Sequence, residues 1–144
     1  MTTLTSRPRG SDFLKSYWDD RYNFESVRIK NMSGANQDAG AIKVGTPLNN
    51  NSGTWETLDD AAESSADGWV VDDRVIPALA NNATTDLEYK VLVRGPAIVN
   101  LDAIAPALDG NNAYVLATMK TRMEAMNPPI VCLRDAGTST TQTT

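Results

Sequence analysis

The segment that most restricts the fold is Glu88 to Leu101, EYKVLVRGPAIVNL. Tyr89, Val91 and Val93 fall on one side of an extended chain, and Lys90, Leu92 and Arg94 on the other. That period of two is the signature of a strand, because successive side chains of a strand point to opposite faces. Gly95-Pro96 breaks the ladder, since proline donates no hydrogen bond and glycine permits a bulge, and Ala97 to Leu101 then resumes it. A strand needs partners, and the rest of the chain offers short ones. Residues 26–31 alternate Val27 and Ile29 with Arg28 and Lys30, and residues 39–48 alternate Ile42 and Val44 before a turn at Gly45-Thr46-Pro47. Residues 49–53, NNNSG, read as a tight loop, 59–68 as an acidic loop or one helical turn, and 68–79 as a strand bent at Asp72-Asp73. Residues 130–134 read as a last strand.

One helix is expected, over 112–127. Val115, Met119, Met123 and Met126 form its apolar stripe, Asn112 can cap its start, and Asn127 with Pro128-Pro129 stops it. About seven short strands with closely spaced turn signals and one late helix predict a mainly β fold, a small β-barrel or β-tulip-like α+β domain rather than a βαβ array.

The two ends differ from this body. Residues 1–12 are rich in Thr, Ser, Arg, Pro and Gly and carry no periodicity. Residues 13–24 hold both phenylalanines, one of the three tryptophans and two of the four tyrosines of the chain. Phe13 and Tyr17 are spaced to share a helical face, with Trp18 beside them. Such a cluster either joins its own domain's core or docks on a partner, where aromatic side chains dominate the binding energy. The expected organisation is an extended N-terminal arm over 1–25, needed for binding and not for folding; a β-rich body over 26–134; and a disordered tail over 135–144.

At 144 residues the chain is one ordinary domain. It has no histidine and one cysteine, which removes imidazole-dependent catalysis, internal disulfides and cysteine-cluster metal sites. No phosphate-binding or nucleophile-elbow motif occurs. Asp59, Asp60, Glu63, Asp67, Asp72 and Asp73 could in principle hold a hard cation, but their spacing matches no calcium loop and a solvated acidic face is the simpler reading. Cys132 lies in an apolar run and reads as an inert core thiol. No metal, no cofactor and no enzymatic activity are expected.

Charge is uneven: residues 1–30 carry six Lys/Arg against four Asp/Glu, 31–90 three against ten, and 91–144 four against four, for a net −5. An acidic body repels phosphate, so nucleic acid is not an expected partner. No apolar run approaches the roughly 20 residues of a membrane span, and the first residues do not read as a signal peptide.

Three segments taken in order, 39–48, 67–78 and 89–104, resemble the head decoration, or capsid cement, proteins of tailed bacteriophages, the group similar to phage lambda head protein D. The matching positions are Gly45, Thr46 and Leu48; Gly68, Val70, Val71 and Asp72; and Arg94, Gly95, Ala97 and Val99, followed by the late helix and short final strand. The likeness covers roughly residues 26–134. It implies a structural virion protein, made in the host cytoplasm and seated on the outer surface of the mature capsid as a homotrimer, where it holds the shell against the pressure of packaged DNA. Its partners would be the major capsid protein of the same phage and further copies of itself. The resemblance assigns Gly45, Thr46, Asp72, Arg94, Gly95 and Pro96 to the family's motif and trimer-associated positions. It assigns capsid contact to the arm, here Phe13, Leu14, Tyr17, Trp18 and Tyr22. The long aromatic arm departs from the family pattern and could instead clasp a neighbouring subunit. The alternatives are another virion part, such as a head-completion or tail-tube subunit, and a small β-barrel binding module for a ligand or peptide.

Overall fold

The computed structural model describes residues 9–32, 38–58, 62–108 and 113–133. Among them the strands are β1 (Leu14–Tyr17), β2 (Phe24–Val27), β3 (Ile29–Lys30), β4 (Pro47–Asn51), β5 (Thr54–Thr57), β6 (Gly68–Val70), β7 (Tyr89–Leu92), β8 (Ala97–Asn100) and β9 (Ile130–Leu133). The α-helices are two single turns, α1 (Gly10–Phe13) and α2 (Asp20–Asn23), and the longer α3 (Leu116–Glu124), with 3-10 turns at Glu63–Ser65 and Leu101–Ala103. A three-stranded sheet has the order β1-β8-β9 and a six-stranded sheet the order β2-β7-β6-β4-β5-β3. The β3–β5 and β8–β9 pairs are parallel and the others antiparallel. The fold is mainly β, with one helix of more than a single turn among the described residues.

Gly95-Pro96 does more than interrupt a strand. It ends β7 in the larger sheet and delivers the chain to β8 in the smaller one. A Cβ on Gly95 would stand 1.9 Å from the Pro129 carbonyl oxygen, so only glycine lets the two backbones approach this closely. Residues 14–27 make the same crossing in the opposite direction, β1 pairing with β8 and β2 with β7.

The barrel is not closed. In the six-stranded sheet β2 and β3 occupy opposite edges, yet only Arg28 separates them in sequence. The sheet therefore curls until its two edges meet covalently, without a ladder between them. The free side of β3 is completed by Thr85, whose hydroxyl accepts from Ile29 N–H and whose own N–H donates to the Ile29 carbonyl, both at 2.9 Å.

Several segments end earlier than their hydrophobic alternation suggests, each for a local reason. Ile42 and Val44 are buried, but they flank tight turns rather than forming a strand. Gly45 sits at φ +87°, its N–H donating to Val70 O and its carbonyl accepting from Ala105, so the ladder starts only at Pro47. The loop expected at 49–53 shrinks to two residues, Ser52 and Gly53, at φ 52° and 95°, while Asn49 to Asn51 pair within β4. Positive φ at both positions is the type I′ geometry that matches strand twist. The strand expected to reach residue 79 stops at Val70. Asp72 Oδ2 takes the Lys90 N–H at 3.0 Å, replacing the backbone acceptor that a longer strand would have supplied. Residues 71–88 then pass between adjacent strands with no regular structure beyond an isolated bridge from Thr84 to Lys30.

The helix is shorter than expected and rotated. It begins at Leu116, buries Leu116, Met119 and Met123, and leaves Val115 exposed, so the stripe has steps of three and four from Leu116. Asn112 lies outside the described residues. The Val115 N–H instead donates to a Glu63 carboxylate oxygen at 2.6 Å. Glu63–Ser65 forms the single helical turn within the acidic segment, while Asp59 and Asp60 lie outside the described residues.

The aromatic segment is part of the body. Phe13 is fully buried in a cluster with Trp69, Leu101, Tyr114, Met119 and Met123. Phe24 joins the same core, and β1 and β2 each extend a sheet. A boundary at residue 25 therefore cuts through both sheets and the core, because these apolar side chains are buried by their own domain. The start of the arm (1–8) and the tail (135–144) lie outside the described residues. A second core, with Ile29, Leu48, Trp55, Val70, Tyr89 and Val91, covers the other face of the large sheet. Trp69 and Val70 thus face opposite cores, which explains why β6 is buried on both sides.

Two stability outcomes follow from these contacts. Phe13→Ala is expected to cost about 3–5 kcal/mol in urea unfolding, the usual loss for a buried aromatic; a cost below about 1 kcal/mol would place Phe13 outside the core. Gly45→Ala would set a Cβ 2.3 Å from the Ala103 oxygen at a left-handed φ, whereas nothing lies within 4 Å of a Cβ on Gly53 at φ +95°. Thermal unfolding should therefore lower the midpoint much more for Gly45→Ala than for Gly53→Ala, whose cost is the left-handed backbone alone, about 1–2 kcal/mol.

Candidate functional site

The side chain of Asn23 organises the corner where the two sheets exchange strands. It is fully buried, its Oδ1 accepting from the N–H groups of Trp18 (3.0 Å) and Asp19 (2.7 Å). Its Nδ2 donates to the carbonyls of Arg94 (3.0 Å) and Pro96 (3.1 Å). An amide has two acceptor and two donor sites, and here all four are used. Asp19 completes the turn by capping α2, accepting from Arg21 and Tyr22 N–H. The result ties the turn between β1 and β2 to the Gly95-Pro96 crossing.

This corner carries the exposed aromatic residues. Tyr17 packs edge-on against Phe24 with ring centroids 4.9 Å apart, and Trp18 against Tyr22 at 5.4 Å. Lys90 Nζ lies 4.2 Å from the Phe24 ring centre and 3.4 Å from an Asp20 carboxylate oxygen. The Arg94 guanidinium stands 5.3 Å from the Tyr22 ring centre, donates to the Tyr22 carbonyl and sits 3.8 Å from Glu25. Cation–π contact and bonding to backbone both orient the rings. Trp18 nevertheless remains 70% exposed and Tyr17 46%.

Beside these rings runs a groove of about 360 Å³ on the outer face of the three-stranded sheet. Ser16, Tyr17 and Trp18 from the β1 side form one wall, Pro96, Ala97 and Ile98 the floor, and Pro129 and Val131 the other wall. Among the described residues no carboxylate, ammonium or guanidinium group lines it. Val131 and Leu133 continue the apolar surface along β9, whose inward residues are Ile130 and Cys132.

Tyr17, Trp18 and Tyr22 thus meet Arg94, Gly95 and Pro96, two groups that the sequence marked independently. Phe13 and Leu14 do not belong to this surface. Phe13 is buried and Leu14 packs against the core, so neither is an exposed contact. Gly45, Thr46 and Asp72 serve turns elsewhere. Thr46 is buried and its hydroxyl accepts from Lys43 N–H at 3.0 Å. Asp72 accepts from the Arg74 guanidinium, Arg74 N–H and Lys90 N–H. Asn23, Lys90, Pro129 and Val131 were not singled out from the sequence as contact or site residues, Lys90 being read only as a strand position and Pro129 only as part of the helix stop. The period-two pattern of Ile130-Val131-Cys132-Leu133 carries a signal for Val131. Asn23 offers no such signal, since the Arg94 and Pro96 carbonyls it binds lie about seventy residues away.

The described members of the acidic set, Glu63, Asp67, Asp72 and Asp73, do not gather into a cation site. Glu63 caps α3, Asp67 binds Arg122 at 2.7 Å and the Asn50 N–H at 2.8 Å, and Asp73 accepts from Gly10 N–H. Among the described residues no group of three or more potential ligands is placed to hold a metal ion, and no helix is long and apolar enough to cross a membrane. Burial pushes the Cys132 thiol up to about 12, with the nearby Glu124 charge adding to it. No protein-family model, curated protein or solved structure matches the chain.

Replacing Asn23 by alanine strips four bonds from buried backbone groups and should cost about 2–4 kcal/mol, read by denaturant unfolding. For Asp72, burial opposes ionisation but is outweighed by the Arg74 side chain, the Arg74 and Lys90 N–H groups and the Arg74 charge, which together bring it from 3.8 to about 2. A depressed carboxylate stabilises the fold fully above its unfolded value and loses that contribution as pH falls through its folded value. The stability gap between the native chain and Asp72→Asn should therefore be constant above about pH 5 and shrink as pH falls from about 4 through 2. Cys132 should react with a thiol reagent only as fast as the chain opens, so denaturant and not mild alkali should accelerate labelling.

Proposed function

We propose that this chain is a structural virion protein of the capsid-decoration kind, bound as a trimer to the outer surface of a mature phage shell and holding it against internal DNA pressure. The observation that carries the reading is the convergence at one corner of exposed, pre-oriented aromatic rings with the Arg94-Gly95-Pro96 segment of the resemblance. Rings held in place before contact lose little entropy on docking, which suits a surface whose work is adhesion. The mainly β body and the order of its segments support the same reading. In this proposal Tyr17, Trp18 and Tyr22 face the major capsid protein, while Phe13 and Leu14 act through the fold.

The mechanism is mechanical. A trimer engages several shell subunits at once, so each contact raises the effective concentration of the others. Binding only to the assembled shell stabilises that state by mass action. No covalent chemistry enters.

The test is co-sedimentation of the purified protein with empty expanded shells, followed by DNA retention of filled particles under heat or osmotic shock. Saturable binding, with greater retention in decorated particles, is the expected result. Equal retention with and without the protein would remove the stabilising role, and absence of binding would remove the reading itself.

A further inference from the structure

We infer that β9 is the seam of a two-fold contact between two copies of this chain, in which the two β9 strands pair antiparallel about Cys132 and join two three-stranded sheets into one of six. The inference concerns contact between copies and does not rest on the shell reading. It starts from the sheet edges. β3 is completed by Thr85 and bridged through Lys30 to Thr84. β2 presents the half-exposed Glu25 carboxylate, and β1 carries Lys15 and a register shift between Leu14 and Ser16. Charges and bulges of this kind keep an edge from pairing with another chain. β9 has neither. Ile130 to Leu133 is uncharged, stays in step with β8 throughout, and ends its sheet. Among the described residues no backbone hydrogen bond reaches its outer side.

Two observations select a second copy as the occupant. The first is the alternation of the strand: Val131 and Leu133 are 46% and 51% exposed, while Ile130 and Cys132 are buried. Residues directly opposed in an antiparallel pair share a face, so the partner strand must match exposed with exposed. A dyad at Cys132 achieves this with the strand itself, setting each Val131 opposite Leu133 of the other copy. A slip of one residue would set Val131 against the inward Cys132.

The second observation is charge. α3 packs on β9 and carries Lys120 and Glu124, which pair at 3.7 Å with both side chains nearly half exposed. Burial raises the Cys132 thiol, and both charges act on it as well, Glu124 upward and Lys120 downward. Charges felt at a residue on the dyad lie close to their own symmetry mates. The two α3 helices then run antiparallel beneath the joined sheet, and each Lys120 is set towards Glu124 of the other copy. The flank of the seam is complementary to itself, which an unrelated apolar strand would not match.

The test is sedimentation of the full-length protein over rising concentration, beside Val131→Lys and Leu133→Lys, which charge exposed positions of the edge. The native chain is expected to reach at least twice the mass of either variant, with the melting midpoint unchanged. The variants define the basal unit, so a three-fold association is common to all samples and drops out of the comparison. Glu124→Lys should weaken association roughly threefold to tenfold, and adding Lys120→Glu to the same chain should restore it. Disulfide trapping reads the register. Val131→Cys and Leu133→Cys chains are mixed and oxidised with diamide, which takes up the two protons and two electrons of the thiol pair. The mixture should crosslink and neither variant alone should, since like residues are diagonal neighbours about 7–8 Å apart.

Equal mass of the native chain and the folded variants at every concentration would overturn the inference. So would a charge swap that fails to restore association, or crosslinking as strong within one variant as in the mixture. All three experiments use purified protein without shells. Shell binding by a chain that forms no seam removes this inference alone, and a trapped seam in a chain that ignores shells removes the decoration reading alone.

Discussion

A single buried amide holds the architecture at its most demanding point. Two chain segments, residues 14–27 and 89–100, leave one sheet and enter the other side by side, and backbone groups at such a crossing lose their ladder partners. Asn23 supplies them, satisfying Trp18, Asp19, Arg94 and Pro96 with one side chain. Buried polar groups without partners cost more than the bonds themselves return, so the corner depends on all four being made together. The Tyr17, Trp18 and Tyr22 rings are built on that corner, so the candidate contact surface inherits its backbone geometry from a residue that is itself hidden.

The same principle, side chains standing in for missing backbone partners, recurs at three other places. Asp72 takes the Lys90 N–H where β6 stops, Glu63 takes the Val115 N–H where α3 starts, and Thr85 completes the free side of β3. This accounts for the fate of the acidic residues. Glu63, Asp67, Asp72 and Asp73 are dispersed among structural duties and so lack the convergence that a cation site requires. It also lets the large sheet curl until β2 and β3 meet through Arg28 without closing a ladder.

Much of the fold was legible in the sequence because strand alternation and turn chemistry are local. The strand signal at 88–101, the break at Gly95-Pro96, the late helix and the mainly β class all rest on spacing within a few residues. The aromatic content of residues 13–24 was equally plain, and it left two outcomes open, core or contact. Both occur, since Phe13 and Phe24 are buried while Tyr17 and Trp18 are exposed.

What only the tertiary structure decided is which partner each local signal meets. Alternation at Ile42 and Val44 says that both are buried, yet the left-handed turn at Gly45, pressed against the Ala103 carbonyl, makes them turn residues rather than strand residues. The apolar stripe of the helix says that one face is inward, but the Glu63 bond to Val115 N–H sets where it begins and hence which residues form that face. The Asn23 bonds to Arg94 and Pro96, and the groove, are non-local. The amide's carbonyl partners and the groove's two walls come from positions far apart in the chain, and no spacing rule connects them. The sequence determined the mainly β class, the strand at 88–101 with its break at Gly95-Pro96 and the presence of a late helix, because those follow from local periodicity and turn chemistry. The corner, its fixed rings and the neutral groove beside them exist only once distant segments are brought together.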